Sequence, residues 1–175
     1  RSAEEAGAEV TLLHLGEIVF EPDLRHGYDL MPPLEPDLLA LQQSLSAAHH
    51  LVIVSPLWWG SMPARLKGLL DRTLLSGFAF QYVKGKAQPL RLLAGKTARL
   101  LLTMDSPLWY YRWWLGSPVE RTLDKPVLGL CGIQLTHRQH LGPVHTSGEG
   151  ARQHWLAQAG AAARQDVQRL GRRPA

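Results

Sequence analysis

The stretch SPLWWGSMPARLKGLLDR, Ser55 to Arg72, decides how the rest of the chain is read. Just before it, Leu51 to Val54 is an unbroken apolar run, the pattern of a parallel strand covered on both faces. Toward its end, Leu66, Leu69 and Leu70, with Leu74 beyond, recur at helical spacing and predict a buried stripe. Ser61 is placed to cap that helix, Pro63 lies in its first turn, and Gly77 supplies a stop. Two adjacent tryptophans and Gly60 therefore stand at the C-terminal end of a strand. Ligands of open parallel sheets lie at such ends.

Outward from this point, short apolar runs alternate with helical patterns, which predicts an α/β fold with a mostly parallel sheet. Arg1 to Ala8 reads as the last turns of a helix and Val10 to Leu15 as a strand. Residues 17–33 carry Pro22, Gly27, Pro32 and Pro33 and read as a long loop. Pro36 opens a helix with Leu38, Leu41, Leu45 and Ala48 on one face. Ala98 to Met104 is a second buried strand. Trp109 to Leu130 has helical pattern interrupted by Pro118 and Pro126. Ile133 to Leu141 alternates as an edge strand does, and Ala151 to Leu170 is a helix that Ser147 could cap. This order predicts a flavodoxin-like doubly wound sheet with helices on both faces, in one domain over residues 1–175. The first strand, the turn after it and the start of the first helix are expected to be absent.

A second loop, TMDSPLWYY from Thr103 to Tyr111, follows the Ala98 strand and is also rich in aromatic and small residues. Two aromatic loops at strand ends suit a planar conjugated ligand, whose faces take aromatic cover and whose edge heteroatoms take backbone N–H groups.

Composition is that of an ordinary globular domain, with 45% hydrophobic and 19% charged residues among 175. No apolar run approaches the roughly 20 residues needed to span a bilayer. One cysteine, Cys131, allows no internal disulfide and suits a reducing compartment, so a cytoplasmic location is expected. The net charge of +4 draws on a tail with Arg164, Arg169, Arg172 and Arg173, which reads as a solvated helix end. No nucleic-acid module accompanies it, so no nucleic-acid partner is expected; a basic surface favours anionic small molecules. His137 and His140 point to opposite faces of a regular strand and cannot share a metal, so no metal site is expected. Cys131 reads as a packed thiol, and Asp71 with Arg72 as a solvated or local ion pair.

Ser55 to Phe80 resembles the signature of the NAD(P)H:quinone oxidoreductases, the DT-diaphorase-like flavoproteins. The likeness rests on the Pro-Leu-Trp-Trp-Gly turn, the Pro-Ala-x-Leu-Lys-Gly helix start, the Asp-Arg pair and the Gly-Phe-Ala-Phe end. Thr103 to Tyr111 resembles the family's second flavin loop, and Val127 to Val144 the segment leading to its last strand. The smaller bacterial members are the nearer match.

The resemblance implies FMN or FAD as cofactor and NAD(P)H as electron donor, with a hydride passed to a quinone or similar acceptor by a ping-pong mechanism. It implies ring contacts from Pro56, Leu57, Trp58, Trp59 and Gly60, and an opposite edge lined by Thr103, Met104, Asp105 and Ser106. A homodimer is implied, with Phe78 and Phe80 projecting toward the partner's substrate slot. Tyr111, with Tyr110 as the second choice, matches the family's catalytic tyrosine. The chain departs from the family in two places. No histidine stands between Tyr111 and Cys131, and the family's His/Ser-rich phosphate turn, which would lie before the first helical residues, is expected to be absent. Two other readings compete: a regulatory partner that touches a membrane transport system peripherally, and a flavodoxin-type electron carrier. The basic charge argues against the carrier.

Overall fold

The computed structural model describes residues 1–25, 27–28 and 32–172, so Arg173 lies outside it. Its main sheet has three parallel strands in the order β1–β4–β5: β1 (His50–Pro56), β4 (Thr97–Thr103) and β5 (Gln134–Leu141). A small antiparallel pair, β2 (Phe80–Gln81) and β3 (Leu90–Arg91), lies between them in sequence. The helices are α1 (Pro36–Ala47), α2 (Ala64–Thr73), α3 (Pro118–Thr122) and α4 (Glu149–Gly171). Two π-helical turns, Tyr110–Trp114 and Leu123–Gly129, flank α3. A flavodoxin-like α/β architecture is thus observed.

Central β4 is buried along almost its whole length, which is why its residues form a continuous apolar run. On one face Ala98, Leu100 and Leu102 pack with Tyr111, Val119, Leu123, Leu128 and Ile133 into the main core. On the other face Arg99 meets Asp166 of α4 in a buried two-pronged ion pair, 2.5 and 2.8 Å. Burial raises the Asp166 pKa, but the Arg99 guanidinium outweighs it and holds the carboxyl below its usual range.

Val10 to Leu15 forms no strand; Val10, Leu12 and Leu13 are exposed. A strand exists only as part of a ladder, and β1 pairs with β4 alone among the described residues. Neither serine expected as a helix cap serves as one. Helix α2 starts at Ala64 behind Pro63, and α4 starts behind Gly148 without a side-chain cap.

Arg72 is not a solvated partner of Asp71. It is fully buried, donates to the Glu21 carbonyl at 2.5 Å and pairs with Glu35 at 2.8 Å, while Asp71 pairs with Lys67 one turn back. Arg65 reaches the Leu15 and Ile18 carbonyls and stacks over Phe20, 4.7 Å from the ring centre. Through these two arginines α2 holds the loop of residues 15–23. Gly68 admits the loop, because a Cβ there would lie 2.6 Å from that of Pro22.

Candidate functional site

Strands β1 and β4 end side by side, with Pro56 registered against Thr103, and the Leu57 N–H donates to the Thr103 carbonyl at 2.8 Å. The two aromatic loops therefore leave the sheet from a common edge. The first closes at once into a tight turn, in which Trp58 and Ser61 exchange backbone hydrogen bonds of 2.8 and 2.9 Å. Trp59 and Gly60 occupy its corner with φ of 50° and 74°, the signs of a type I′ turn. Gly60 suits that conformation. A tryptophan there costs about 1–2 kcal/mol in backbone strain.

At this turn both indoles face outward. Trp58 is 60% exposed and Trp59 is fully exposed. The backbone N–H groups of Trp59 and Gly60 have no partner among the described residues. Strain of this kind, with open donors beside it, is characteristic of binding sites. Leu115 buttresses the turn, its Cδ1 3.2 Å from where a Gly60 Cβ would stand.

In the second loop the expected residues divide. The backbone N–H groups of Asp105 and Ser106 have no partner among the described residues, and Asp105 Oδ1 accepts from the His145 N–H at 2.5 Å, which fixes the loop. Met104 does not line the site. Its side chain is in the core, its N–H donates to the Leu141 carbonyl, and its carbonyl accepts from Val144. Gly142 passes so close that a Cβ would fall 2.1 Å from the Met104 oxygen. Phe78 and Phe80 are half-buried against the core, with Phe80 edge-on to Tyr82.

The tyrosine expectation is corrected. Tyr111 is fully buried, and its hydroxyl donates to Glu120 Oε2 while accepting from the Val119 N–H at 3.3 Å. Burial, together with the neighbouring Glu120 carboxylate, pushes its phenol above the usual tyrosine range. Such a hydroxyl cannot meet a substrate. Tyr110, on the same π-helical turn, remains accessible beside Trp109.

The sequence reading also missed Glu120 and His140. Glu120 Oε1 pairs with His140 Nε2 at 2.6 Å, so β5 supplies a histidine to the tyrosine from beyond Cys131. Burial raises the Glu120 pKa, but the His140 and Tyr111 hydrogen bonds prevail and hold its carboxyl below the ordinary value. The buried Tyr–Glu–His chain anchors the second aromatic loop to the sheet.

The two loops fit a flavin. Exposed indoles offer faces for a flat ring, and the unused N–H groups at Trp59, Gly60, Asp105 and Ser106 offer donors for its heteroatoms. Among the described residues no group of His, Cys, Asp and Glu side chains could hold a metal ion, and no helix is long and apolar enough to cross a membrane.

Comparison with known proteins agrees with this architecture. A family model described as flavodoxin-like fold matches residues 1–167. An uncharacterized NAD(P)H oxidoreductase of Haemophilus influenzae is 28% identical over 157 residues, covering 86% of this chain and 75% of its own length. Mouse ribosyldihydronicotinamide dehydrogenase [quinone] is 32% identical over 132 residues, 71% of this chain but only 54% of the mouse protein. The NAD(P)H:quinone oxidoreductase structure from Methanothermobacter marburgensis superposes with a TM-score of 0.72 at 22% identity, covering 93% of this chain and 85% of that one.

Proposed function

The chain belongs to the flavodoxin-like fold family, and from that membership we propose that it is a flavin-dependent NAD(P)H oxidoreductase acting on quinone-type acceptors. The observation that carries the proposal is the strained Trp59–Gly60 corner with its open N–H groups and outward indoles. A structural turn has no use for both. The names of the Haemophilus and mouse relatives point the same way.

Trp58, Trp59 and Gly60 would hold one side of FMN or FAD, and Asp105 with Ser106 would approach another edge. The bound flavin would supply two-electron transfer between a reduced nicotinamide and a quinone. In the overall reaction NAD(P)H is oxidised, the quinone is reduced to its hydroquinone, and one proton is taken up from water.

The work of the protein is positional. The backbone N–H groups at the turn are fixed dipoles, so they stabilise negative charge without reorganising. Donor and acceptor are flat molecules that fit one open aromatic face in turn, which is the ping-pong order. The Tyr110 hydroxyl is the accessible phenol of the second loop and donates a hydrogen bond to an acceptor oxygen. Tyr111, Glu120 and His140 hold that loop in place from below. A second copy of the chain is the cover proposed for the exposed Trp109, Trp113 and Trp114.

The test is oxidation of NADH or NADPH by menadione with and without added FMN or FAD. Flavin-dependent turnover supports the proposal, and its absence in flavin-saturated protein removes it.

A further inference from the structure

A cleft of about 270 Å³ opens beside the second aromatic loop, between the π-helical turn Tyr110–Trp114, α3 and β5. Its acidic residues are already occupied. Asp124 pairs with Arg138 at 2.6 Å, and Glu120 is taken by Tyr111 and His140. Its remaining cations are not. Arg112 and Arg121 line the cleft, and their guanidinium groups have no hydrogen-bond or ion-pair partner among the described residues. The Ser117 hydroxyl shares the cleft and is likewise unpartnered, and Ser117 stands at φ 52°, a conformation that disfavours any side chain.

Two unpaired guanidinium groups, a free hydroxyl and a strained residue converge on one small concavity. Guanidinium forks match the oxygens of phosphate and carboxylate groups bidentately, and a phosphate ester brings more charge and more acceptor oxygens to two such forks. The cleft also adjoins the ring turn, since Leu115, on the same loop as Arg112 and Ser117, packs on Gly60.

We infer that Arg112, Ser117 and Arg121 form a phosphate subsite that receives the adenosine-phosphate end of the dinucleotide donor. This assignment rests on the oxidoreductase reading for its occupant, though not for its chemistry. A donor whose nicotinamide lies on the aromatic turn carries its phosphates away along the loop, and the free cations lie there. A free phosphate metabolite offers the same chemistry without the adenosine.

The test is equilibrium titration with 2′,5′-ADP, 5′-ADP and inorganic phosphate, read by tryptophan emission, since Trp113 and Trp114 follow Arg112 directly. Saturable binding of the adenosine phosphates is expected. It should weaken about tenfold in Arg112→Gln and in Arg121→Gln, the loss of one charge-assisted hydrogen-bonding group. Lys86→Gln, which removes an exposed charge elsewhere, should leave binding unchanged. In turnover assays the KM for the donor should rise in the arginine variants while kcat holds. Equal affinity in all variants overturns the subsite. Inorganic phosphate binding as tightly as 2′,5′-ADP, with donor KM unmoved, overturns the assignment to the donor. Arginine-dependent binding of adenosine phosphates without quinone reduction supports the subsite and removes the proposed acceptor instead.

Discussion

Replacing Trp59 by glycine separates the two roles of the turn. The indole is fully exposed and contributes no burial, while its backbone is held at φ 50°. Relief of left-handed strain is worth about 1–2 kcal/mol. Glycine's extra freedom in the unfolded chain gives back about 0.5–1 kcal/mol. The variant should therefore be as stable as the parent or up to about 1.5 kcal/mol more stable by urea denaturation. Flavin binding should move the other way. One face of the indole is roughly 100 Å², about half of what a buried tryptophan covers. At about 25 cal/mol per Å² its loss costs about 2.5 kcal/mol, roughly 60-fold in Kd. Quenching of flavin fluorescence measures Kd on the same samples. Unchanged flavin affinity, or a clear loss of stability, would refute the reasoning, because the residue would then be serving the fold.

Other perturbations test the supports. Asp166→Ala leaves Arg99 buried without its partner and should cost about 3–5 kcal/mol in urea. The folded Asp166 pKa lies below its usual value of 3.8, so its contribution is present above that value and is lost as pH falls through the folded pKa. Stability of the parent should decline in that acid range with a steeper slope than that of Asp166→Asn; equal slopes would contradict the pairing. Glu120→Gln weakens the contacts to Tyr111 and His140 and should cost about 2 kcal/mol by thermal unfolding. Cys131 is buried and its thiol is pushed up to about 11, so it should resist a disulfide reagent in the native protein and react once denatured.

Where local pattern and tertiary need agree, the sequence is easy to read. The apolar run of β4 became the expected buried strand, and the turn before α2 stands where the strand-end rule puts it. Leu51 to Val54 became a strand but is not covered on both faces, since Val52 and Val54 are exposed, and the α2 leucines are only partly buried. Val10 to Leu15 shows the limit, because strand-forming residues make no strand without a neighbour to pair with. The tyrosine assignment failed for a different reason. A π-helical turn changes the angular spacing of side chains, so Tyr110 and Tyr111 could not be sorted inward and outward by counting at 3.6 residues per turn. His140 was hidden by a bulge at Thr136. Leu135 pairs with Ala98 and His137 with Arg99, so strict alternation from Leu135 turns His140 away from the core, whereas the bulge brings it to Glu120. Arg72 was legible and overlooked, since it lies three residues after Leu69 on the apolar stripe.

The central claim is that the Trp59–Gly60 corner and the Asp105–Ser106 loop hold a flavin ring between them. Residue-resolved amide hydrogen exchange, with and without saturating FMN or FAD, tests it most directly, because those four N–H groups have no partner among the described residues. The account predicts slowed exchange at Trp59, Gly60, Asp105 and Ser106 when flavin is added. Exchange at these four amides that is as fast with flavin as without would contradict it.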